Sequence, residues 1–142
     1  MSPEHKFYTS QIAKWAIKNF HHPGLDISDD NQDSWRPEKI FAIVEGEVRT
    51  CLPDFSAINI AIEPNLYILG EAKTSEDFNN RLSDADNQMN VMINFLKKQT
   101  YPILIYSVPN EILETVTNKI HQKLEKYNAT NIRFEVIDQF YK

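Results

Sequence analysis

The alternation of apolar and polar residues along the chain predicts a protein of mixed strands and helices. Residues 101–108, YPILIYSV, form an almost continuous apolar run, which is typical of a central strand buried on both faces. Thr9 or Ser10 is the predicted cap of a first amphipathic helix, and Ser83 or Asp84 that of a second. The predicted helices cover residues 9–20, 85–98 and 111–127, and the further predicted strands cover residues 39–49, 56–62, 66–73 and 132–137.

The order of these elements predicts the fold class. The chain reads helix, strand, strand, strand, helix, strand, helix, strand, which is typical of an α/β fold with a mixed five-stranded sheet and helices on both faces. Residues 24–39 are polar and show no period, so we expect a solvated loop there, with Trp35 anchoring it to the core. No linker or shift in composition divides the sequence, so residues 1–142 are expected to form a single domain.

The composition excludes several functional classes. With a single cysteine, Cys51, the 142-residue chain has neither an internal disulfide nor a cysteine-rich zinc site. The formal net charge of -5 argues against a protein that coats nucleic acid, but it is compatible with a nuclease whose basic contacts are local. No apolar run reaches the length of a membrane span, and the first residues lack the features of a signal peptide. We therefore expect a cytoplasmic protein without a membrane partner.

One predicted hairpin carries the residues with the clearest chemistry. Asp54 precedes its first strand, while Glu71 and Lys73 lie near the end of its second strand, where alternate residues share a face. A turn at residues 63–65 places Asp54 level with Lys73 and Thr74. Two carboxylates and one ammonium group then meet at one end of the sheet. The alternative is that Glu71 and Lys73 form an ordinary ion pair and that Asp54 is a turn residue.

These residues resemble the signature of a known family. Pro53-Asp54, followed on the next strand by Glu71-Ala72-Lys73, resembles the PD-(D/E)xK motif of the restriction-endonuclease-like nucleases, in the small resolvase-like or mobile-element version. The family core has the same order of elements as residues 9–108, namely a helix, a three-stranded meander, a helix and a strand. In several subfamilies the helix after the motif carries a glutamine that faces the site, and Gln88 matches that position.

The resemblance implies a Mg²⁺-dependent nuclease that hydrolyses DNA phosphodiester bonds and is of the repair, recombination or mobile-element defence type. Asp54, Glu71 and the backbone carbonyl of Ala72 would supply oxygen ligands for Mg²⁺ or Mn²⁺. Lys73 would orient the attacking water and stabilise charge in the transition state. Gln88 would hydrogen-bond this water or Lys73. DNA is then the expected partner, and a homodimer would supply two sites for cutting two strands.

The sequence departs from the family pattern at the first helix. Many members carry a glutamate there that points into the site, whereas the predicted helix over residues 9–20 contains no acid and offers only Gln11 as a neutral substitute. Either two acids suffice, or Glu45 or Glu47 supplies the third, or activity is reduced. The alternative function is therefore a catalytically silent module that serves nucleic-acid binding or protein assembly. A row of lysines at residues 119, 123 and 126 is interpreted as a solvated helix face, or else as a contact for phosphates.

Overall fold

The computed structural model describes residues 2–20, 26–30, 36–59 and 65–142. In chain order the elements are α1 (Pro3–Asn19), β1 (Asp26–Asp29), β2 (Ile40–Val44), β3 (Glu47–Cys51), β4 (Phe55–Asn59), β5 (Leu66–Ala72), α2 (Ser75–Asn80), α3 (Leu82–Leu96), β6 (Tyr101–Ser107), α4 (Asn110–Lys126) and β7 (Arg133–Ile137). Within these described ranges, no helix is both long and apolar enough to cross a membrane.

Five strands form one mixed sheet in the order β1-β4-β5-β6-β7. Strand β4 pairs antiparallel with β1 and β5, and β6 pairs parallel with β5 and β7. Helix α1 packs on one face of the sheet through Ile12, Trp15 and Ala16, while α3 and α4 cover the other face. The predicted α/β fold with a mixed five-stranded sheet and helices on both faces is confirmed.

The strand predicted over residues 39–49 is instead a hairpin of two short strands. Glu45 and Gly46 have φ angles of 52° and 84°, and this left-handed backbone reverses the chain between β2 and β3. The hairpin packs against α3 and does not join the main sheet. Its place in the sheet is taken by β1, which lies within the segment predicted to be a solvated loop. Strand β1 is polar and pairs with β4 through backbone hydrogen bonds, so its side chains show no apolar pattern from which a strand could be predicted.

Helix α1 begins six residues before its predicted start. Ser2 is the N-cap, and its hydroxyl accepts a hydrogen bond from the backbone N–H of His5 at 3.1 Å. Pro3 occupies the first turn, where its fixed φ angle favours a helix, and Glu4 is favourably placed at the positive end of the helix dipole. The predicted caps Thr9 and Ser10 therefore lie inside the helix. The first turn thus contains one acid, Glu4, whose side chain is exposed.

The remaining elements differ less from prediction. Strand β6 is buried from Pro102 to Ser107, which confirms the predicted central strand. Helix α3 begins at Leu82 and is preceded by Arg81, whose side chain makes no capping bond, so the predicted caps Ser83 and Asp84 lie within it. The predicted turn at residues 63 and 64 and the predicted anchor Trp35 lie outside the described residues.

The lysines of α4 are paired with groups of the protein itself. Lys123 is buried, and its Nζ lies 2.6 Å from Asn90 Oδ1 and 2.7 Å from Asp86 Oδ1. Lys119 also contacts Asp86, at 3.4 Å, and Lys126 lies 2.9 Å from Glu45. The interpretation of this row as a solvated face is therefore wrong at Lys123, which ties α4 to α3 through a buried polar contact.

Candidate functional site

Asp54 lies at the end of the sheet where β4 begins and β5 ends. Phe55 is paired with Gly70, so Asp54 is level with Glu71. The predicted register, which placed Asp54 level with Lys73 and Thr74, is wrong by two to three residues, because Asn59 pairs with Leu66 and Phe55 with Gly70. Asp54 Oδ2 accepts a hydrogen bond from the backbone N–H of Ala72 at 2.9 Å. This bond extends the pairing of the two strands through a side chain.

Glu71 and Lys73 share one face of β5, as predicted. The Glu71 residue is only 2% exposed, and Lys73 Nζ lies 3.6 Å from Glu71 Oε1. On the neighbouring strand β6, the partner of Glu71 is Tyr106, which is buried in the core between the sheet and α3. The Glu71 carboxyl group is therefore held at the boundary of the core, with Lys73 as its cationic neighbour.

The carboxyl groups of Asp54 and Glu71 lie close enough for their pKa values to move in opposite directions. Burial raises the pKa of Glu71 well above its usual range, and the charge of Asp54 raises it further. Burial also acts to raise the pKa of Asp54, but hydrogen bonds with His5, Glu71 and the Ala72 N–H outweigh burial and lower that pKa to about 2. Two adjacent carboxyl groups, one of which is hard to ionise beside the other, offer a place where a divalent cation can bind.

Ala72 is oriented by the strand that carries it. Its side chain is fully buried in the core beneath α1. In an extended strand the N–H and C=O of one residue point to the same side, as they do in an antiparallel hydrogen-bonded pair. Because the Ala72 N–H points to Asp54, its carbonyl oxygen points toward the Asp54 side of β5 as well. This direction is compatible with the predicted use of the Ala72 carbonyl as a ligand.

The structure adds two residues that the sequence interpretation did not include. His5, in the first turn of α1, places Nε2 2.9 Å from Asp30 Oδ2 and 3.6 Å from Asp54 Oδ1. Asp30 follows β1, and its backbone N–H donates to the Asp54 carbonyl at 2.9 Å. Three separate elements thus bring His5, Asp30 and Asp54 to one point.

Hydrogen bonds determine the charge of this group. The bond with Asp30, and then the bond with Asp54, raise the pKa of His5 to about 10, against the opposing effect of burial. Burial raises the pKa of Asp30, although the bond with His5 acts in the opposite direction. In the metal-free protein His5 is therefore an imidazolium at neutral pH. It supplies the positive charge that the first helix brings to this end of the sheet.

Several buried side-chain polar atoms have no hydrogen-bond partner among the described residues. They are Asp30 Oδ1, Glu71 Oε2, Gln88 Oε1, Tyr106 Oη, Ser107 Oγ and Tyr141 Oη. The predicted hydrogen bond from Lys73 to Gln88 Oε1 is therefore absent from the structure. Cys51 is also buried, and burial together with the charges of Glu71 and Asp54 raises its pKa to about 12, so the thiol stays protonated. Buried acceptors normally find hydrogen-bond partners, so the unpaired oxygens of Asp30, Glu71 and Gln88 are unusual.

The other acids and the amide considered from the sequence lie elsewhere. Glu45 is exposed in the hairpin turn, where its pKa is lowered by Lys126. Glu47 pairs with Arg49 at 3.1 Å on the same hairpin. Gln11 donates a hydrogen bond to the carbonyl of Tyr141. The alternative in which Glu45 or Glu47 supplies a third carboxylate is therefore wrong, whereas Asp30 is an additional acid close to Asp54.

A sequence signal for His5 does exist in the first four residues. Ser2-Pro3-Glu4 combines an N-cap residue, a proline at the first helical position and an acid in the first turn, which together mark a helix start. Extending the helix to this start places His5 about two turns before Ile12, which packs against β5 near Gly70. Asp30 has no comparable signal because its position depends on the pairing of β1 with β4.

No protein-family model, curated protein or solved structure matches this chain. Membership of the PD-(D/E)xK nucleases therefore stays a prediction that rests on the resemblance of residues 53, 54 and 71–73.

Proposed function

We propose that this protein is a metal-dependent nuclease that hydrolyses phosphodiester bonds in DNA. The observation that carries the proposal is the meeting of Asp54, Glu71 and Lys73 at one end of β5, with two adjacent carboxyl groups and an ammonium 3.6 Å from one of them. An accidental motif would leave Asp54 and Glu71 far apart. Their proximity favours a functional arrangement, because placing two carboxyl groups together in a buried position destabilises the metal-free fold.

The residues present fit a divalent cation. Glu71 Oε2 is buried and has no hydrogen-bond partner in the described part of the chain, so it is available as a ligand. Asp54 presents a second carboxylate, and the Ala72 carbonyl points to the same side. Oxygen donors of this kind suit Mg²⁺ and Mn²⁺. When bound, such an ion polarises a phosphoryl oxygen and lowers the pKa of a coordinated water.

Each side chain of the proposed site would have a separate role. Asp54 and Glu71 would hold the cation, and the hydrogen bond from Ala72 keeps the Asp54 carboxylate in one orientation. Lys73 would leave Glu71 and donate to the attacking water or to the phosphate, where its charge opposes the charge that develops in the transition state. The unpaired Oε1 of Gln88 would accept a hydrogen bond from this water or from Lys73.

The order of elements supports a restriction-endonuclease-like core. Helix α1, strands β1, β4 and β5, helix α3 and strand β6 follow one another as in that core, with the β2–β3 hairpin inserted between β1 and β4. The proposed site lies where β5 ends and β4 begins, next to the first turn of α1. A second copy of the chain would supply a second site for cutting both strands of a duplex.

A catalytically silent module is the second candidate, and one observation favours it. His5 and Lys73 already place two positive charges against the carboxyl groups of Asp30, Asp54 and Glu71. Positive charges supplied by the chain itself offset part of the negative charge and lessen the need for a metal cation. Such a protein would bind nucleic acid or assemble with other proteins without cutting DNA.

Cleavage assays distinguish the two candidates. The full chain, freed of metal and then supplied with Mg²⁺ or Mn²⁺, is incubated with linear, circular, flapped and branched DNA, and products are resolved on gels. The nuclease proposal predicts cleavage that chelation abolishes and that Asp54→Asn reduces by about a hundredfold or more, as expected when a group essential to charge stabilisation is lost. Lys73→Met should reduce cleavage while metal binding persists.

Glu47→Gln is the matched control, because this glutamate is largely exposed on the hairpin and should leave cleavage unchanged. Cleavage of equal rate by wild type and Asp54→Asn would refute the proposal. The silent alternative predicts no cleavage with any substrate, and no Mn²⁺-induced thermal stabilisation that Glu71→Ala removes.

A further inference from the structure

The group formed by His5, Asp30 and Asp54 has the composition and spacing of a cation site in its own right. One ligand atom from each residue can be chosen so that all three lie within 4.8 Å of one another. Cations bound about 2.1 Å from their ligands in octahedral geometry separate neighbouring ligand atoms by about 3.0 Å and opposite ones by about 4.2 Å. From His5 Nε2, the 2.9 Å to Asp30 Oδ2 is close to the spacing of neighbouring ligand atoms, and the 3.6 Å to Asp54 Oδ1 lies between the two spacings.

A second observation points to a ligand at this place. Asp30 Oδ1 is buried and makes no hydrogen bond to any described residue, although Asp30 Oδ2 is bonded to His5. Glu71 Oε2, which belongs to the neighbouring position between Asp54 and Glu71, is likewise buried and without a partner among the described residues. Buried carboxylate oxygens are costly to leave without partners, so both oxygens are expected to have a ligand in the functional protein.

The backbone also holds these residues in place before any ion binds. His5 is fixed in the first helical turn, because its N–H donates to the capping hydroxyl of Ser2. Asp30 and Asp54 are joined by the hydrogen bond between the Asp30 N–H and the Asp54 carbonyl. The ligands therefore come from three elements that are already ordered, which reduces the entropy lost on binding.

The geometry points to a second cation position, formed by His5, Asp30 and Asp54, that takes a first-row transition ion such as Mn²⁺ in preference to Mg²⁺. The imidazole nitrogen sets this preference, since Mg²⁺ favours oxygen ligands and imidazole suits transition ions. An ion bound here replaces the imidazolium proton as the positive charge between the two carboxylates.

Asp54 would connect this position to the one proposed between Asp54 and Glu71. Its Oδ1 faces His5 and its Oδ2 faces Ala72, so one carboxylate presents an oxygen to each side. A shared carboxylate is a common bridge in two-metal phosphodiester hydrolases. The inference deepens the proposed function, but the His5 position can bind an ion whether or not the protein cleaves DNA.

Pulsed electron paramagnetic resonance of Mn²⁺ tests the nitrogen ligand directly. The metal-free full chain is titrated with Mn²⁺, and the spin-echo modulation is examined for coupling to a ¹⁴N nucleus. The expected result is a ¹⁴N coupling in the wild type that His5→Gln abolishes and His121→Gln retains. His121 is the matched control because it lies exposed on α4 and packs against Phe134, away from the site.

Two further variants separate this inference from the proposed function. Asp30→Asn should keep the fold and weaken Mn²⁺ binding at the nitrogen-containing position by about tenfold or more. Glu71→Gln should retain the ¹⁴N coupling even though it removes the oxygen-only position. If the wild type shows no ¹⁴N coupling, or if the coupling survives in His5→Gln, the inference is wrong. A preserved coupling without DNA cleavage would support the inference and count against the nuclease proposal alone.

Discussion

Replacing Glu71 by glutamine should stabilise the metal-free protein, although it removes a residue proposed to be essential. The wild-type carboxyl group is almost fully buried, one of its oxygens has no described partner, and its neighbour Asp54 is a second acid. The substitution keeps the size of the side chain and removes the ionisable group. Its amide N–H can donate to the Asp54 carboxylate at every pH, whereas the wild-type carboxyl group can donate only while it is protonated.

The magnitude follows from two opposing contributions. An unsatisfied buried acceptor costs about 1–3 kcal/mol, and more when it is charged. Against this, the variant loses the contact with Lys73, which at 3.6 Å and in a partly buried position contributes at most about 1 kcal/mol. We therefore expect the free energy of unfolding to rise by about 1–2 kcal/mol, and Tm to rise by roughly 3–7 °C for a domain of this size.

The stability gained by Glu71→Gln depends on pH. Because the folded-state pKa of Glu71 is raised, its effect on stability is least unfavourable below the pKa of the unfolded chain and becomes unfavourable as pH rises above that value. The gain from Glu71→Gln should therefore be small near pH 4 and largest at pH 7–8. Thermal and urea unfolding in the presence of a chelator measure it, with exposed Glu47→Gln as the control expected to change stability by less than about 0.5 kcal/mol.

Divalent cations should reverse the comparison. Mn²⁺ at a hundred times the dissociation constant of the position between Asp54 and Glu71 stabilises the wild type by about 2.7 kcal/mol through that position, and this contribution should be missing in Glu71→Gln. If metal-free Glu71→Gln is less stable than the wild type at pH 7–8, the claim that the buried Glu71 carboxyl group destabilises the metal-free fold is refuted.

Three further predictions concern other parts of the fold. Because the pKa of His5 is raised to about 10, its ion pairs stabilise the metal-free protein fully below about pH 6.5 and are lost as pH rises through 10. Over this window the free energy of unfolding should fall by about 1.5–3 kcal/mol more in the wild type than in His5→Gln, as measured by urea unfolding. Gly70→Ala should cost about 1–3 kcal/mol in the same assay, because an added Cβ would lie 2.9 Å from the Ile12 side chain in a packed core. Lys123→Met should lower the free energy of unfolding by a similar amount, because it leaves the buried Asn90 Oδ1 without its donor. The exposed control Lys126→Met should change stability by less than about 0.5 kcal/mol. Equal effects of the two variants would contradict the buried role of Lys123.

The parts of the fold that could be predicted from sequence are those with long periodic patterns. The apolar run over residues 101–108 and the helical stripes that include Met89 and Val116 each have one arrangement that buries their apolar side chains. Glu71 and Lys73 could be placed on one face because alternation along a strand is strict.

The remaining features depend on contacts that single-sequence patterns do not encode. Strand β1 is short and polar, and its backbone pairing with β4 is what places Asp30 beside Asp54. The hairpin turn uses Glu45 rather than the asparagine or aspartate usual at a residue with positive φ, so the turn was hidden within an apparent strand. An apolar stripe does not indicate the position of His5, because the first turn of α1 is mostly exposed.

Anomalous diffraction from a crystal soaked in Mn²⁺ tests the central claim, that Asp54 and Glu71 together hold a divalent cation. The account predicts a Mn²⁺ peak about 2.1 Å from an oxygen of each carboxylate, with Lys73 released from Glu71. The same crystal form of Asp54→Asn should lack this peak. Absence of a peak between the two carboxylates in the wild type, with Lys73 still paired to Glu71, would contradict the account.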